Sequence, residues 1–241
     1  FKKNFLGTHF FNPPRYMKLF ELIPTSDSDP ELVSFVADFA RDRLGKGIVM
    51  AKDTPNFIAN RVGVHAMMAT VGVMNEMGLS IEEVDALTGP AIGRPKTATF
   101  KLADLVGLDT FLHVADNIYP LIPDDEARET FKAPDYLYKM VEKGLLGRKS
   151  GGGFHRMEKK PEKKFYTLDL ETLEDRDKQK AKFPEIAMAK NIEDQDERLK
   201  TLAFGKGAAG QAIWRMLAAS FSYSAMRVGE ICDQAAEIDQ A

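Results

Sequence analysis

The sequence has 241 residues, of which 44% are hydrophobic and 29% charged, and its formal net charge is -3. This composition is typical of a soluble globular protein and excludes the broad basic surface of a nucleic-acid-binding protein. The apolar stretches are short and interrupted, which excludes a membrane-spanning helix. One cysteine, Cys232, excludes an internal disulfide and indicates a reducing compartment, so we expect a cytoplasmic protein.

The two ends of the sequence indicate a longer parent protein. The chain starts at Phe1 without a methionine or a targeting pattern, and it stops at Ala241 within a predicted helix. We therefore expect both ends to be boundaries inside the parent.

The first fifty residues have the pattern of the tail of an α/β domain. Short apolar runs with strand length alternate with one helix, which starts at Asp29 as the N-cap and Pro30 as the first helical residue. The predicted strand, strand, helix and strand occupy residues 5–12, 17–23, 29–44 and 47–51.

Residues 53–155 predict an all-helical stretch. Pro55 opens a helical pattern that runs to about Gly78, and Ser80 with Glu83 forms a capping box for the next helix. Two further helices are predicted at 107–118 and 134–143.

The last third of the chain predicts a turn or linker, an ordered connector and then another helix. Residues 147–165 are glycine-rich and then basic, which favours a flexible turn or linker over a phosphate-binding loop. Residues 156–204 predict a charged connector with short helices, and 205–232 predict a long helix. The segment GKGAAG (205–210) has the glycine spacing of a dinucleotide loop, but no predicted strand precedes it, so we do not expect a dinucleotide site there.

A weak internal repeat relates the helical stretch to the end of the chain. An offset of 154 positions aligns the two without a gap, which makes 205–241 the beginning of a second helical repeat. If the repeat is real, one copy carries chemistry and the other is structural; chance agreement is the alternative. The aligned pairs are Arg61 with Arg215, Glu76 with Glu230, Glu83 with Glu237, and Asp85 with Asp239.

His9 and Glu21 are the candidate catalytic pair. Each lies in a predicted strand, and the two side chains can meet if the strands are neighbours. A carboxylate beside a histidine fixes the tautomer and stabilises the imidazolium, which makes the histidine a general base. The alternative is a histidine packed among aromatic residues in a core.

Four segments together resemble the 3-hydroxyacyl-CoA dehydrogenase family, in the family's order and at compatible spacing. THFFNPPRYMKLFELI (8–23) resembles HFFNP followed by MKLVE, and KDTPNFIANR (52–61) resembles KDTPGFIxNR. VGLDT (106–110) resembles GLDT, and GRKSGGGF (147–154) resembles GKKTGxGFY. The resemblance covers about 1–155 and is fainter over 205–241.

The resemblance implies a fold that is mainly α with a small α/β remnant. Its parts, in order, are the C-terminal remnant of an NAD-binding Rossmann domain, a helical substrate and dimerisation domain, the charged connector, and the beginning of the second helical repeat. They occupy 1–52, 53–155, 156–204 and 205–241.

The resemblance also implies roles for four residues. His9 is the general base that takes the proton of the C3 hydroxyl as hydride leaves C3 for the nicotinamide, and Glu21 orients it. Asn60 is a catalytic and substrate-binding candidate that helps to hold the reacting part of the acyl-CoA. Asn12 is a second substrate-binding candidate, for which a turn role before the following proline is the alternative.

The implied function is NAD-dependent oxidation of (S)-3-hydroxyacyl-CoA to 3-oxoacyl-CoA in fatty-acid β-oxidation by the parent protein. The NAD-binding loop is expected upstream of Phe1, so we expect the fragment alone to be inactive. A homodimer and an enoyl-CoA hydratase domain in the parent are consistent with the resemblance, and no metal site is predicted. The alternative function is a non-catalytic helical module for dimerisation or partner docking.

Three departures from the family segments are present. Asn56 replaces a glycine, and because Asn tolerates a positive φ we expect the turn to survive. ATFKL (98–102) replaces GPFEL and puts Lys101 at an acidic position, which bears on acyl-chain specificity or partner packing. His155 replaces the last aromatic residue of GFY, and we assign it no catalytic role.

Overall fold

A computed structural model describes residues 1–159 and 162–241. The strands of this part of the chain are β1 (Leu6–Phe10), β2 (Leu19–Pro24), β3 (Gly47–Met50), β4 (His155–Glu158), β5 (Lys164–Leu168) and β6 (Asp175–Asp177). The α-helices are α1 (Pro30–Leu44), α2 (Ala59–Met77), α3 (Ile81–Leu87), α4 (Phe100–Val106), α5 (Leu108–Ile118), α6 (Asp135–Glu142), α7 (Pro184–Ala189), α8 (Gln195–Ala203), α9 (Ala208–Arg227) and α10 (Ala235–Gln240). None of these helices combines the length and the hydropathy that a membrane crossing requires.

The chain forms two compact units. The first contains Phe1–Gly63 and Phe221–Ala241, and the second contains Val64–Ser220. Helices α2 and α9 each contribute residues to both units. The division into four sequence domains stays a prediction.

The first unit is built on a three-stranded sheet in the order β1-β2-β3, with β1 antiparallel and β3 parallel to β2. One face of the central strand packs Phe20 and Leu22 against α1, and the other packs Ile23 into a cluster with Ile58 and Ile231. The start of α1 is as predicted, because the Asp29 carboxylate accepts a hydrogen bond from the Glu31 amide. The small α/β part of the predicted fold is therefore confirmed.

The end of the chain packs beside strand β3 within this first unit. The Lys52 amide donates to the Ile231 carbonyl at 2.8 Å, and the Met50 amide donates to the Glu237 carboxylate at 2.8 Å. Cys232 is buried here. It lies after α9 rather than on it, because that helix ends at Arg227 and Gly229 follows with φ +92°.

The second unit is mainly helical, as predicted. Ser80 and Glu83 form the expected capping box at the start of α3. Helices α5 and α6 match the predicted segments, and their buried faces include Phe111 and Leu137.

The predicted linker and connector are wrong in part, because residues 155–177 form a three-stranded antiparallel sheet in the order β4-β5-β6. The glycine run before this sheet is packed rather than flexible. Asp104 accepts hydrogen bonds from the amides of Phe154 and His155, both at 2.8 Å, and side chains on Gly147 or Gly153 would collide with it. The predicted short helices of the connector are present as α7 and α8, and residues 160 and 161 lie outside the described residues.

Candidate active site

His9 and Glu21 lie directly opposite each other on β1 and β2. Because paired residues of antiparallel strands point to the same face, the two side chains meet. The His9 Nδ1 and Glu21 Oε2 atoms are 2.5 Å apart. The rings of Phe11 and Phe57 lie beside the imidazole, at centroid distances of 4.6 and 5.7 Å.

Glu21 also binds the start of helix α2. Its Oε1 accepts hydrogen bonds from the amides of Ile58 at 3.0 Å and Ala59 at 2.8 Å. These are amides that a helix leaves without an internal partner, and the positive end of the helix dipole stabilises a carboxylate there. Glu21 is fully buried, so it has little freedom to leave this position.

His9 is held at one nitrogen and free at the other. Its side chain keeps 26% of its surface exposed, and Nε2 has no hydrogen-bond partner among the described residues. If Nδ1 carries the proton toward Glu21, Nε2 presents a lone pair. This is the arrangement of a general base with an oriented tautomer.

Helix α2 begins at Ala59 rather than at the predicted Pro55, because a turn precedes it. Asn56 and Phe57 have φ of 62° and 52°, which a right-handed helix does not allow. A positive φ is as expected for Asn56, but Phe57 is a bulky residue in the same region and is strained there. Its packing against the buried cluster of the first unit offsets that strain and places its ring beside His9.

The two candidate asparagines occupy different settings. Asn60 lies in the first turn of α2, one residue after the amide that binds Glu21, and it is partly buried. Asn12 is exposed and follows β1, and a cis peptide bond joins it to Pro13. Among the described residues no hydrogen bond joins Asn12 or Asn60 to His9 or Glu21.

Two models of one family match the chain in succession. The 3-hydroxyacyl-CoA dehydrogenase NAD-binding domain matches residues 1–54, and the C-terminal domain of the same family matches residues 57–157. A probable 3-hydroxyacyl-CoA dehydrogenase of Bacillus subtilis (strain 168) is 46% identical over all 241 residues. The chain belongs to the 3-hydroxyacyl-CoA dehydrogenase family. It spans 30% of the length of that relative.

Two other similar proteins cover different shares of the chain. A putative fatty acid oxidation complex trifunctional enzyme of Rickettsia felis is 39% identical over 157 residues, which are 65% of this chain and 22% of that protein. The crystal structure of 3-hydroxybutyryl-CoA dehydrogenase from Escherichia coli K12 aligns with 98% of this chain and 59% of its own, with a TM-score of 0.64. At 20% identity that likeness shows a shared fold.

Some site groups of this family member were not visible in the sequence. The Ile58 and Ala59 amides that fix Glu21 are backbone groups, so residue type gave no signal. Lys46 was also missed, because a lysine between a helix and a strand is usually a surface residue. It is buried, and its Nζ donates to the carbonyls of Pro14 and Met17, at 2.7 Å for Met17. Lys46 thereby fixes the connection between the two strands of the dyad.

The glycine segment GKGAAG does not fit a dinucleotide loop. It follows helix α8 rather than a strand, and Gly210 is packed so closely on Gly205 that a side chain would collide with the Gly205 carbonyl. Within the described part of the chain, no cluster of three or more metal-binding side chains is present.

A second histidine–carboxylate pair lies in the second unit. His155 Nε2 is 2.9 Å from Asp85 Oδ2, and Asp85 also accepts from the Phe100 amide and pairs with Lys101 at 3.3 Å. Nearby Asp104 is buried, and this burial raises the pKa of its carboxyl group above the ordinary value. The hydrogen bonds that it accepts from two backbone amides act in the opposite direction. The other histidines are a buried His65 and an exposed His113.

Proposed function

We propose that the protein that carries these residues oxidises (S)-3-hydroxyacyl-CoA to 3-oxoacyl-CoA with NAD. The observation that carries the proposal is the 2.5 Å contact of His9 with a Glu21 that α2 holds in place. Bound NAD supplies the hydride acceptor. His9 Nε2 takes the proton of the C3 hydroxyl, and Glu21 stabilises the imidazolium that results.

Asn60 is proposed to position the substrate. It follows Ala59 directly. The hydrogen bond from the Ala59 backbone amide to Glu21 therefore also fixes the helix turn that carries the Asn60 side chain. This side chain is suited to donate a hydrogen bond to a polarised oxygen of the acyl-CoA. For Asn12 the exposed position before Pro13 favours the turn role over a substrate contact.

The setting of this reaction is also a proposal. The Rickettsia relative, named for fatty acid oxidation, supports fatty-acid β-oxidation and a parent with further domains such as an enoyl-CoA hydratase. The lone cysteine of the sequence supports a cytoplasmic location. Because GKGAAG does not fit a dinucleotide loop, we propose that the 241-residue chain alone does not turn over.

The test follows NADH absorbance with 3-hydroxyacyl-CoA esters of several chain lengths. The assay compares the 241-residue chain with a protein that joins these residues to a complete dinucleotide loop. We expect turnover only in the longer protein. In that protein His9→Gln should abolish turnover, and the matched control His113→Gln should retain it. Robust turnover by the short chain would contradict the inactivity proposal, and an unaltered rate in His9→Gln would contradict the assignment of the base.

The second candidate function is a helical dimerisation module, and one observation favours it. Phe204 and Trp214 are exposed on the second unit, with ring centroids 5.3 Å apart. A second copy would cover such an aromatic pair. Light scattering after gel filtration should show a dimer that Trp214→Ala weakens, and a monodisperse monomer at high concentration would exclude it.

A further inference from the structure

A pocket of about 720 Å³ lies entirely within the second unit. Its walls come from the segment before α4, from α4 itself, from the glycine run and from the sheet β4-β5-β6. The volume is in the range of sites that hold small organic ligands. The dyad of the proposed dehydrogenase reaction does not use any of its residues.

The pocket contains cations that form no ion pair with any described residue, although the buried Asp104 carboxylate also lines it. Lys96, Arg148 and Lys178 line it, and none of the three has an ion-pair partner within the described ranges 1–159 and 162–241. Lys159 lines the pocket without a described ion-pair partner as well, whereas the two remaining cations are paired. Lys101 pairs with Asp85, and Arg156 pairs with Glu158 at 2.6 Å and with Asp175.

The surroundings of Lys178 disfavour its charged form. Desolvation, and after it the charge of Lys101, lowers the pKa of Lys178 from its ordinary value, although its side chain still reaches solvent. Asp85 and Glu82 act in the opposite direction without cancelling the shift. A bound anion would offset the repulsion between the two ammonium groups by attracting both.

The same pocket has an apolar wall. Leu105, Met157 and Phe165 all line it, and each leaves roughly half of its surface exposed. His155 lines it as well. Exposed apolar side chains that converge beside unpaired cations are typical of a ligand site rather than of a solvated surface.

The two halves of this lining favour one ligand class. Inorganic phosphate would leave the apolar wall bare, and a fatty-acid anion would bring one charge to four unpaired cations. We infer that this pocket binds a nucleotide with at least two phosphate groups, the base against Phe165 and Met157 and the phosphates on Lys96, Arg148 and Lys178. Flat bases stack on aromatic side chains, and guanidinium and ammonium groups are the usual phosphate partners. The inference does not depend on the proposed dehydrogenase function.

Calorimetric titration of the full 241-residue chain tests the inference with ADP, adenosine and decanoate. We expect ADP to bind, and adenosine to bind at least about tenfold more weakly because it lacks the phosphates. Higher salt should weaken ADP binding, since it screens the cations. Equal affinities for ADP and adenosine would overturn the inference, as would tighter binding of decanoate or the absence of ADP binding.

Matched variants locate the binding. Lys178→Met should weaken ADP binding about tenfold and Lys178→Arg should largely retain it, while Lys139→Met, an exposed lysine on α6 outside the pocket, should not change it. Identical affinities in Lys178→Met and Lys139→Met would overturn the site. Coenzyme A distinguishes two sources of the nucleotide: if Lys178→Met weakens its binding equally, the pocket accepts the nucleotide end of an acyl-CoA. If only ADP responds, the ligand is a free nucleotide, and either result supports the site.

Discussion

Glu21 holds His9 through one carboxylate oxygen and the first turn of helix α2 through the other. The same buried side chain therefore orients the proposed base and caps the N-terminus of helix α2. Substitution can separate the two roles. Glu21→Gln removes the carboxylate charge but keeps an acceptor oxygen, whereas Glu21→Ala removes both.

The first prediction concerns the tautomer of His9. Because Glu21 accepts at Nδ1, neutral His9 should carry its proton on Nδ1 almost entirely, whereas Glu21→Gln should give a mixture. Nitrogen-15 chemical shifts of the imidazole, measured at a pH where the ring is neutral, report the ratio. His113, which is exposed, should show the same shifts in both proteins. A wild-type His9 protonated on Nε2 would contradict the proposed geometry.

The second prediction concerns the stability of the first unit. Glu21→Ala leaves the Ile58 and Ala59 amides without their acceptor, and we expect a loss of about 2 to 4 kcal/mol, since each such amide costs about 1–3 kcal/mol. Glu21→Gln keeps an acceptor oxygen and should cost less. Native-state hydrogen exchange should show these two amides losing protection first. His9→Ala serves as the control, and a cost equal to that of Glu21→Ala would contradict the capping role.

The third prediction compares two ion pairs that the 154-residue offset relates. Arg61 pairs with Glu230 within the first unit, and Arg215 pairs with Glu76 within the second. Arg61 is fully buried and also donates to the Tyr223 hydroxyl at 2.5 Å, whereas Arg215 and Glu76 are 43% and 63% exposed.

Burial should therefore separate the two pairs energetically. Arg61→Met should cost roughly 2 to 4 kcal/mol of unfolding free energy, and Arg215→Met less than about 1 kcal/mol. Urea unfolding measures both, with Arg61→Lys as the charge-conserving comparison. Equal costs would show that burial does not decide the strength of these pairs. Each arginine pairs with the glutamate of the other predicted copy of the repeat. This reciprocal pairing favours the repeat, which stays a prediction.

The fourth prediction is a pH dependence in the second unit. Burial opposes ionisation of Glu82, but hydrogen bonds from Arg176 and the Gln179 amide outweigh it and lower the pKa of Glu82 to about 2. A lowered pKa contributes stability that is fully present above the ordinary value of about 4.5 and is lost as the pH falls toward 2. The stability difference between the wild type and Glu82→Gln should therefore shrink between pH 5 and pH 3. Glu76→Gln, at an exposed pair, should differ little from the wild type at pH 7.

Much of the site could be predicted because local patterns determine it. The aromatic run and the proline pair place His9 and Glu21 on neighbouring strands, and the Ser80–Glu83 spacing dictates its capping box. The amides that bind Glu21 carry no sequence signal, since every non-proline residue has one.

The missed sheet β4-β5-β6 has a different cause. Its strands are short and charged, and they do not alternate between polar and apolar residues. Arg156 reaches Asp175 across the sheet, and Arg176 binds Glu82 of α3 with two hydrogen bonds. These partners are far apart in sequence, so a local pattern of hydrophobicity predicts a connector and misses a sheet whose strands carry such ion pairs.

The shared use of Glu21 has an evolutionary consequence. A descendant that lost its chemistry would remain under selection to keep this glutamate, because the fold needs an acceptor at the start of α2. His9, which is partly exposed and bonded at one nitrogen, would be released from that constraint and could drift. In a survey of such descendants, the histidine rather than its carboxylate partner would separate enzymes from inactive relatives.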